Sequence, residues 1–249
     1  MGSTPVTSYQ LSVTSDDGYC PPFSLSPGSM LKSLLSLFLQ SPCCLCQRHS
    51  ETILCQFCQK QVHNFQLSTS SSTWTGNLPY FAWGKYEGQL KQTLSKLKYD
   101  RQAELGILLG QWLGQAWLDA GMAKKRAKLI VVPIPLHPNK QKIRGFNQAE
   151  LIAQGFCQIT SDRLFANALI RIKDTPALFG LTPLQRKQNL QDAFTLGRVW
   201  QQQQPQLPVL LIDDIYTTGT TVQQAANVLR KHNIKVYGMA VIATPKFTS

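Results

Sequence analysis

Apolar and polar residues follow two alternating patterns in the second half of the chain. Leu129–Ile134 and the start of Val209–Ile215 are short apolar runs, typical of parallel strands buried on both faces. Asn147–Ile159 and Thr220–His232 repeat apolar residues at the spacing of amphipathic helices. This alternation predicts an α/β domain with a doubly wound, mainly parallel sheet, whose ligands bind at the carboxyl ends of the strands.

Other segments extend the same pattern. One helix is predicted over Tyr86–Lys98, where Lys91, Lys96 and Lys98 are expected to stay in solvent. The other predictions are a helix over Ala103–Ala120, strands over Ala168–Ile172 and Lys235–Ala243, and an exposed loop at Gln201–Gln204.

The composition divides the chain into three parts. Residues 1–29 are rich in Ser, Thr, Pro and Gly, which predicts a disordered tail. Residues 30–66 hold an amphipathic stretch at Met30–Leu39 and a cluster of cysteines. The α/β domain is expected over 80–249, after a Ser- and Thr-rich linker.

No apolar run reaches the roughly 18 residues that cross a bilayer. Met30–Leu39 is the nearest, but it is short and contains Lys32. It also lacks the preceding basic segment of a signal peptide. We therefore expect a cytoplasmic protein without a membrane span, in which clustered cysteines indicate a metal rather than disulfides.

Five of the seven cysteines lie between Cys43 and Cys58. Cys43-x-x-Cys46 and Cys55-x-x-Cys58 are separated by eight residues, and each pair can present two thiolates to one Zn²⁺. His49 and His63 are possible substitute ligands, whereas Cys44 is expected to point away. Four protein ligands leave no open position, so the sequence predicts a structural zinc ribbon.

The charge is strongly positive. The chain has 25 Lys and Arg against 13 Asp and Glu, a formal net charge of +12. This balance suits phosphate-bearing partners, such as nucleotides, nucleic acid or a lipid surface, although it also serves solubility alone.

Candidate chemistry is concentrated at the end of the strand Val209–Ile215. Asp213 and Asp214 are followed by a turn and then a helix. The N–H groups at a helix start favour phosphate, and two carboxylates can accept from vicinal sugar hydroxyls or hold a Mg²⁺ shell. The turn residues that would contact phosphate are Thr217, Thr218, Gly219, Thr220 and Thr221.

A second candidate unit follows the strand Leu129–Ile134. Seven basic residues and no acid lie between Lys124 and Arg144, and the part with Lys140, Lys142 and Arg144 is predicted as a basic loop. A group of phosphates near this strand end would need such positive charge. The candidate residues are Lys142, Arg144, Asn147 and Gln148.

The segment 209–221 resembles the phosphoribosyl pyrophosphate (PRPP) motif of type I phosphoribosyltransferases. The resemblance implies that Asp213 and Asp214 bind the ribose hydroxyls and that Thr217–Thr221 surround the 5′-phosphate. The basic unit would then hold the pyrophosphate together with Mg²⁺. Such an enzyme displaces pyrophosphate from C1 of PRPP.

The two units together resemble the ComF family, phosphoribosyltransferase-like proteins associated with bacterial competence for DNA uptake. Between them, such families usually show a glutamine where this chain has Leu178, followed by Arg186, Asn189 and Phe194. The missing glutamine leaves the acceptor base open.

Two other functions remain possible from the sequence. One is a nucleotide-binding regulator that transfers nothing. The other is an accessory factor for single-stranded DNA that works with DNA-uptake proteins. Its candidate aromatic residues are Phe65, Trp74, Tyr80, Phe81 and Trp83.

Overall fold

The computed structural model describes residues 42–68, 77–123, 128–174, 192–202 and 206–245. The predicted tail 1–29, the stretch Met30–Leu39 and the segment with Leu178, Arg186 and Asn189 lie outside the described residues.

Helices and strands alternate along most of the described chain. In chain order they are α1 (Gln56–His63), β1 (Tyr80–Lys85), α2 (Gly88–Tyr99), α3 (Ala103–Asp119), β2 (Ile130–Pro133), α4 (Pro138–Arg144), α5 (Gln148–Thr160), β3 (Arg163–Leu164), β4 (Leu169–Arg171), β5 (Phe194–Leu196), α6 (Val199–Gln202), β6 (Val209–Ile215), α7 (Thr220–Lys231) and β7 (Val236–Thr244).

Five strands form one parallel sheet in the order β1-β7-β6-β2-β3. Strand β6 is at its centre, with Leu210 opposite Val131 of β2 and Ile212 opposite Ala240 of β7. The predicted α/β class with a mainly parallel sheet is therefore confirmed. The carboxyl ends of β2 and β6 meet at one edge, which brings together the two units singled out in the sequence.

Both faces of this sheet are covered. Leu210 and Ile212 pack in one core cluster with Leu105 of α3 and Phe156 of α5. The alternate residues of β6 pack in a second cluster with α7, through Val222, Ala225 and Leu229. Because successive strand residues point to opposite faces, a strand buried on both sides is apolar without interruption.

The cysteine segment packs against the α/β core. Leu54 and Val62 share a buried cluster with the apolar side chains of α2. The chain then runs along β1, where the N–H of Leu67 donates to the carbonyl of Trp83 at 2.8 Å. The N–H of Lys85 donates to the carbonyl of Phe65 at 2.8 Å.

Several sequence predictions need correction. The strand predicted over Ala168–Ile172 exists as β4, but it pairs antiparallel with β5 in a separate two-stranded sheet. The segment after β2 forms the helix α4, whose N-cap His137 accepts from the N–H of Asn139. Part of the glutamine run predicted as a loop belongs to α6. No helix within the described ranges is long and apolar enough to cross a membrane.

Candidate functional site

The two acids of β6 have different partners, although their carboxyl groups also interact with each other. Asp213 lines a cavity of about 200 Å³ together with Thr217–Thr221 and Met239. Asp214 forms an ion pair, its Oδ2 lying 2.5 Å from Nζ of Lys98. The strand pleat therefore gives two adjacent carboxylates different surroundings.

The turn after β6 is shaped to hold an anion. Gly219 is the N-cap of α7 with φ 79° and ψ 0°, a left-handed conformation that glycine adopts readily. Gly219 has no side chain to cover the first N–H groups of α7, which adjoin the cavity. The hydroxyl oxygens of Thr218 and Thr220, two residues that line the cavity, lie 3.0 Å apart. Backbone N–H groups, hydroxyls and the positive end of a helix dipole can together bind a phosphate.

Tyr216 packs against Gly219 of this turn. Its ring stacks on Tyr80 with centroids 4.4 Å apart, and its carbonyl accepts from the hydroxyl of Thr244 at 3.0 Å. These contacts join the turn to β1 and β7, so the cavity rests on the sheet itself.

Lys98 favours the charged form of Asp214. Burial is the largest single effect and raises the pKa of Asp214, but Lys98, together with the hydrogen bond to Asp213 and the charge of Arg144, lowers that pKa overall. Burial would likewise lower the pKa of Lys98, and the carboxylate of Asp214 raises it instead. Asp213 differs, because burial and the charge of Asp214 raise its pKa well above the usual value.

A group of cations surrounds the acid pair. Burial lowers the pKa of Arg171, an effect partly offset by the negative charges of Asp213 and Asp174. Burial and then the positive charges of Arg171 and Arg144 act on Lys140, whose pKa is also lowered. Because like charges repel, an anion bound among these side chains would be favoured.

The helix α4 and the start of α5 fix the position of Arg144. Its guanidinium donates from Nη1 to Oε1 of Gln148, and it lies 6.0 Å from the ring centroid of Tyr99. The amide of Asn147 donates to the carbonyl of Ile134 at 3.1 Å and accepts from the N–H of Ala149 at 3.2 Å. Asn147 thus fastens α5 to the end of β2, while Arg144 remains half-exposed beside the acids.

A second centre lies in the cysteine segment. The Sγ atoms of Cys43, Cys46, Cys55 and Cys58 all lie within 4.8 Å of one another. His49 and His63 are not part of this group. The four thiols therefore form a cluster that could hold one metal ion.

Backbone donors favour a thiolate in this cluster. Burial acts against ionisation of Cys43, but N–H groups that include the one of Cys55, at 3.3 Å from Sγ, hold its pKa at about 6. Burial raises the pKa of the neighbouring Cys44 to about 11. Within the same cluster, burial and the hydrogen bonds with the other three cysteines raise the pKa of Cys58, so a thiolate is favoured at Cys43 rather than at Cys58.

No protein-family model matches the chain. Individual proteins do. The chain is 30% identical over 209 residues to Competence protein F of Haemophilus influenzae, a match that covers 75% of this chain and 90% of that protein. The chain belongs to the ComF family. The family prediction is confirmed.

Two further relatives match shorter parts of the chain. The chain is 28% identical over 156 residues to DNA utilization protein YhgH of Escherichia coli (strain K12), covering 59% of this chain and 63% of that protein. It is 29% identical over 152 residues to Competence protein ComFC of Bacillus subtilis (strain 168), covering 58% and 55%.

In this ComF-family chain, the structure brings together residues that the sequence analysis treated separately. Lys98 was expected in solvent, yet it is only 20% exposed and pairs with Asp214 across the sheet edge. Arg171 was not singled out at all. Their charge was visible in the sequence, but nothing there showed that α2 and β4 lead to the acid pair. Lys142, by contrast, is exposed on α4.

Not all of the aromatic residues proposed for single-stranded DNA are available to a base. Phe81 and Trp83 are buried in the core of β1 and cannot stack on a base. Tyr80 stacks on Tyr216 instead. Trp74 lies outside the described residues.

Proposed function

We propose that this ComF-family protein binds PRPP with Mg²⁺ and acts as a phosphoribosyltransferase-like protein in DNA uptake. The observation that carries the proposal is the single cavity shared by Asp213 and the turn Thr217–Thr221. A carboxylate beside an anion-binding helix start suits a sugar hydroxyl next to a phosphate.

Each end of the ligand has its own contacts in this proposal. Thr217–Thr221 surround the 5′-phosphate, and the acid pair accepts from the ribose hydroxyls. The pyrophosphate lies toward Lys142, Arg144 and the start of α5. Lys140 and Arg171 add positive charge there.

In the proposed reaction a nucleophile forms a bond to C1 of PRPP while the bond from C1 to the pyrophosphate oxygen breaks, through an oxocarbenium-like transition state. The chain's contribution is to orient the ribose and to stabilise the negative charge of the leaving pyrophosphate with Arg144 and its neighbours. Mg²⁺, when bound, would neutralise pyrophosphate charge further.

The names of the relatives support the cellular part of the proposal. Competence protein F is named for competence, and DNA utilization protein YhgH for the use of DNA. By similarity, we propose that this chain acts in natural transformation, in the cytoplasm.

For the cysteine cluster we propose a structural Zn²⁺ held by Cys43, Cys46, Cys55 and Cys58. Thiolates at this spacing suit zinc, and four of them leave no position for a reacting water. We propose that this zinc ribbon precedes a phosphoribosyltransferase-like domain over residues 80–249.

A specific observation also favours single-stranded DNA as a second ligand. Tyr99 is 74% exposed and Ile143 is 77% exposed, and both line a cavity of about 180 Å³. Its other lining residues are cations, Lys98, Arg101, Lys140 and Arg144. An exposed ring among cations can stack on a base while the cations contact phosphates.

Calorimetry with PRPP and Mg²⁺ tests the main proposal. Asp213→Asn with Asp214→Asn should weaken binding by several kcal/mol, at about 1.5–3 kcal/mol for each charged contact. Asp119→Asn, which removes an exposed carboxylate on α3, is the matched control and should bind as the wild type does. Equal affinity of wild type and double variant would remove the assignment.

Release of pyrophosphate separates an enzyme from a silent nucleotide-binding regulator. A protein that binds PRPP tightly but releases no pyrophosphate with any of the common nucleobases would support the regulator.

A further inference from the structure

The ion pair between Lys98 and Asp214 bears on how the acid pair treats metal ions. Lys98 belongs to α2, which is far from β6 in the sequence. Its neighbours Lys91 and Lys96 point outward, and Lys96 pairs with Asp100 at the helix surface. Lys98 alone among these lysines turns inward, to a carboxylate that is 5% exposed.

We infer that Lys98 is the resident cation of the acid pair and that it excludes a divalent cation from Asp214. The ribose end of the ligand therefore binds without Mg²⁺. The second statement rests on the proposed function, whereas the first concerns this chain alone.

The surroundings of Asp214 do not fit a hydrated magnesium ion. Mg²⁺ demands near-octahedral coordination at about 2.0–2.1 Å and usually retains several waters. Here the ammonium lies 2.5 Å from Oδ2 and occupies the position of a metal ligated by that oxygen. Little solvent reaches either side chain while the ion pair is intact.

Charge balance leads to the same inference. Asp213 and Asp214 carry at most two negative charges, and one of them is already neutralised by an ammonium in direct contact. Arg144 also acts favourably on the charge of Asp214. A divalent ion placed there would be repelled by two fixed cations.

Lys98→Met tests this directly, because it keeps the length of the stem but removes the charge. The probe is Mn²⁺ alone, which prefers the same oxygen ligands as Mg²⁺ and is measured by electron paramagnetic resonance. Wild type, Lys96→Met and Asp214→Asn should give superimposable titrations of the full chain. Lys98→Met should bind one Mn²⁺ ion more than the wild type, at least about tenfold more tightly than the wild type binds Mn²⁺ at any site. Adding Asp214→Asn should abolish this gain.

Two results would overturn the inference. One is a wild-type Mn²⁺ site that Asp214→Asn removes. The other is a folded Lys98→Met variant that gains no ion. Should Lys98→Met fail to fold, the comparison of wild type with Asp214→Asn decides.

Ribose 5-phosphate tests the ligand side. Its affinity for the wild type should be the same with and without Mg²⁺, while the affinity for PRPP should rise with Mg²⁺. A ribose 5-phosphate that binds only with Mg²⁺ contradicts the role of Lys98 but leaves the proposed function intact. If neither ligand binds under any condition, the proposed function fails, and the Mn²⁺ titrations alone judge Lys98.

Discussion

Gly219 lies directly against the hydroxyl of Tyr216. A Cβ atom at residue 219 would be 2.7 Å from that oxygen and 3.0 Å from the ring carbon that bears it. The ring cannot easily retreat, since it is stacked on Tyr80. The turn that forms the proposed phosphate site therefore depends on a missing side chain.

Gly219→Ala should destabilise the protein and weaken PRPP binding at least about tenfold, because the turn must shift away from Tyr216. Gly121→Ala is the matched control. Gly121 has φ +70°, close to the +79° of Gly219, but a Cβ there would meet nothing within 4 Å. It should cost only the conformational strain, about 1–2 kcal/mol, and leave binding unchanged. Urea unfolding and calorimetry measure both effects, and equal behaviour of the two variants would contradict the steric argument.

Metal analysis tests the cysteine cluster. Protein purified without chelator should contain about one Zn²⁺ per chain, and Cys58→Ser should lose it because three thiolates hold zinc much more weakly. Cys44→Ser is the control, since Cys44 is a buried neighbour outside the group of four. Zinc-free wild-type protein, or equal loss from both variants, would contradict the assignment.

Arg144→Ala should weaken PRPP about ten- to a hundred-fold but ribose 5-phosphate little, because only PRPP carries the pyrophosphate. Thr221→Val should weaken both ligands, which share the 5′-phosphate. Arg48→Ala provides the control for losing one positive charge, because Arg48 stacks on Phe57 beside the cysteine cluster. If Arg144→Ala weakened both ligands equally, the cation would act as a general field and the pyrophosphate assignment should be dropped.

The two acids should affect stability with opposite dependence on pH. The folded state raises the pKa of Asp213, so the charge of Asp213 increasingly destabilises the fold as pH rises above about 4. Asp213→Asn should therefore gain stability relative to wild type between about pH 4 and pH 7. The folded state lowers the pKa of Asp214, whose contribution is present above about pH 4 and is lost as pH falls.

Asp214→Asn should accordingly lose most stability at neutral pH and approach the wild type in acid. Urea unfolding of both variants at several pH values measures the difference. If the free energy of unfolding of the two variants changed with pH at the same slope, the two acids would be equivalent, which would contradict their different environments.

Tyr99→Ala should weaken the binding of a short oligothymidylate, by about 1–3 kcal/mol if one base stacks on the ring. Phe57→Ala is the matched control, because Phe57 is also an exposed ring, at 51%, with an arginine over its face. Fluorescence anisotropy at fixed salt measures the affinities. An equal effect of both variants, or none from Tyr99→Ala, would argue against this surface as the DNA site.

The sequence was most informative where the residues of one short segment are enough to predict its structure. Val209–Ile215 was predicted with the bounds that the structure has, because a buried strand ending in two acids and a threonine-rich turn is unambiguous locally. The four cysteines were likewise found from spacing alone. Neither result depended on knowing a distant partner.

The sequence was least informative about pairing. Lys98 looks like any lysine on a helix surface, and only the packing of α2 brings it to Asp214. Leu169–Arg171 has the composition of a strand, but composition does not say that its partner is β5 rather than the main sheet. The same uncertainty concealed Arg171. Strand β1 was missed because its aromatic residues and glycine lack both alternation and a long aliphatic run.

The path of residues 65–67 along β1 has a consequence for solubility. An outer strand with free N–H and carbonyl groups is a template onto which a second molecule can add its own strand. Here Gln66 bridges to Gly84, and Phe65 and Leu67 share hydrogen bonds with β1, so that row of groups is already used within the chain. Cutting the protein just before Tyr80 would uncover this row together with the apolar side chains of α2. We expect the truncated protein to aggregate, because the cysteine segment covers the edge of β1 and so prevents self-association there.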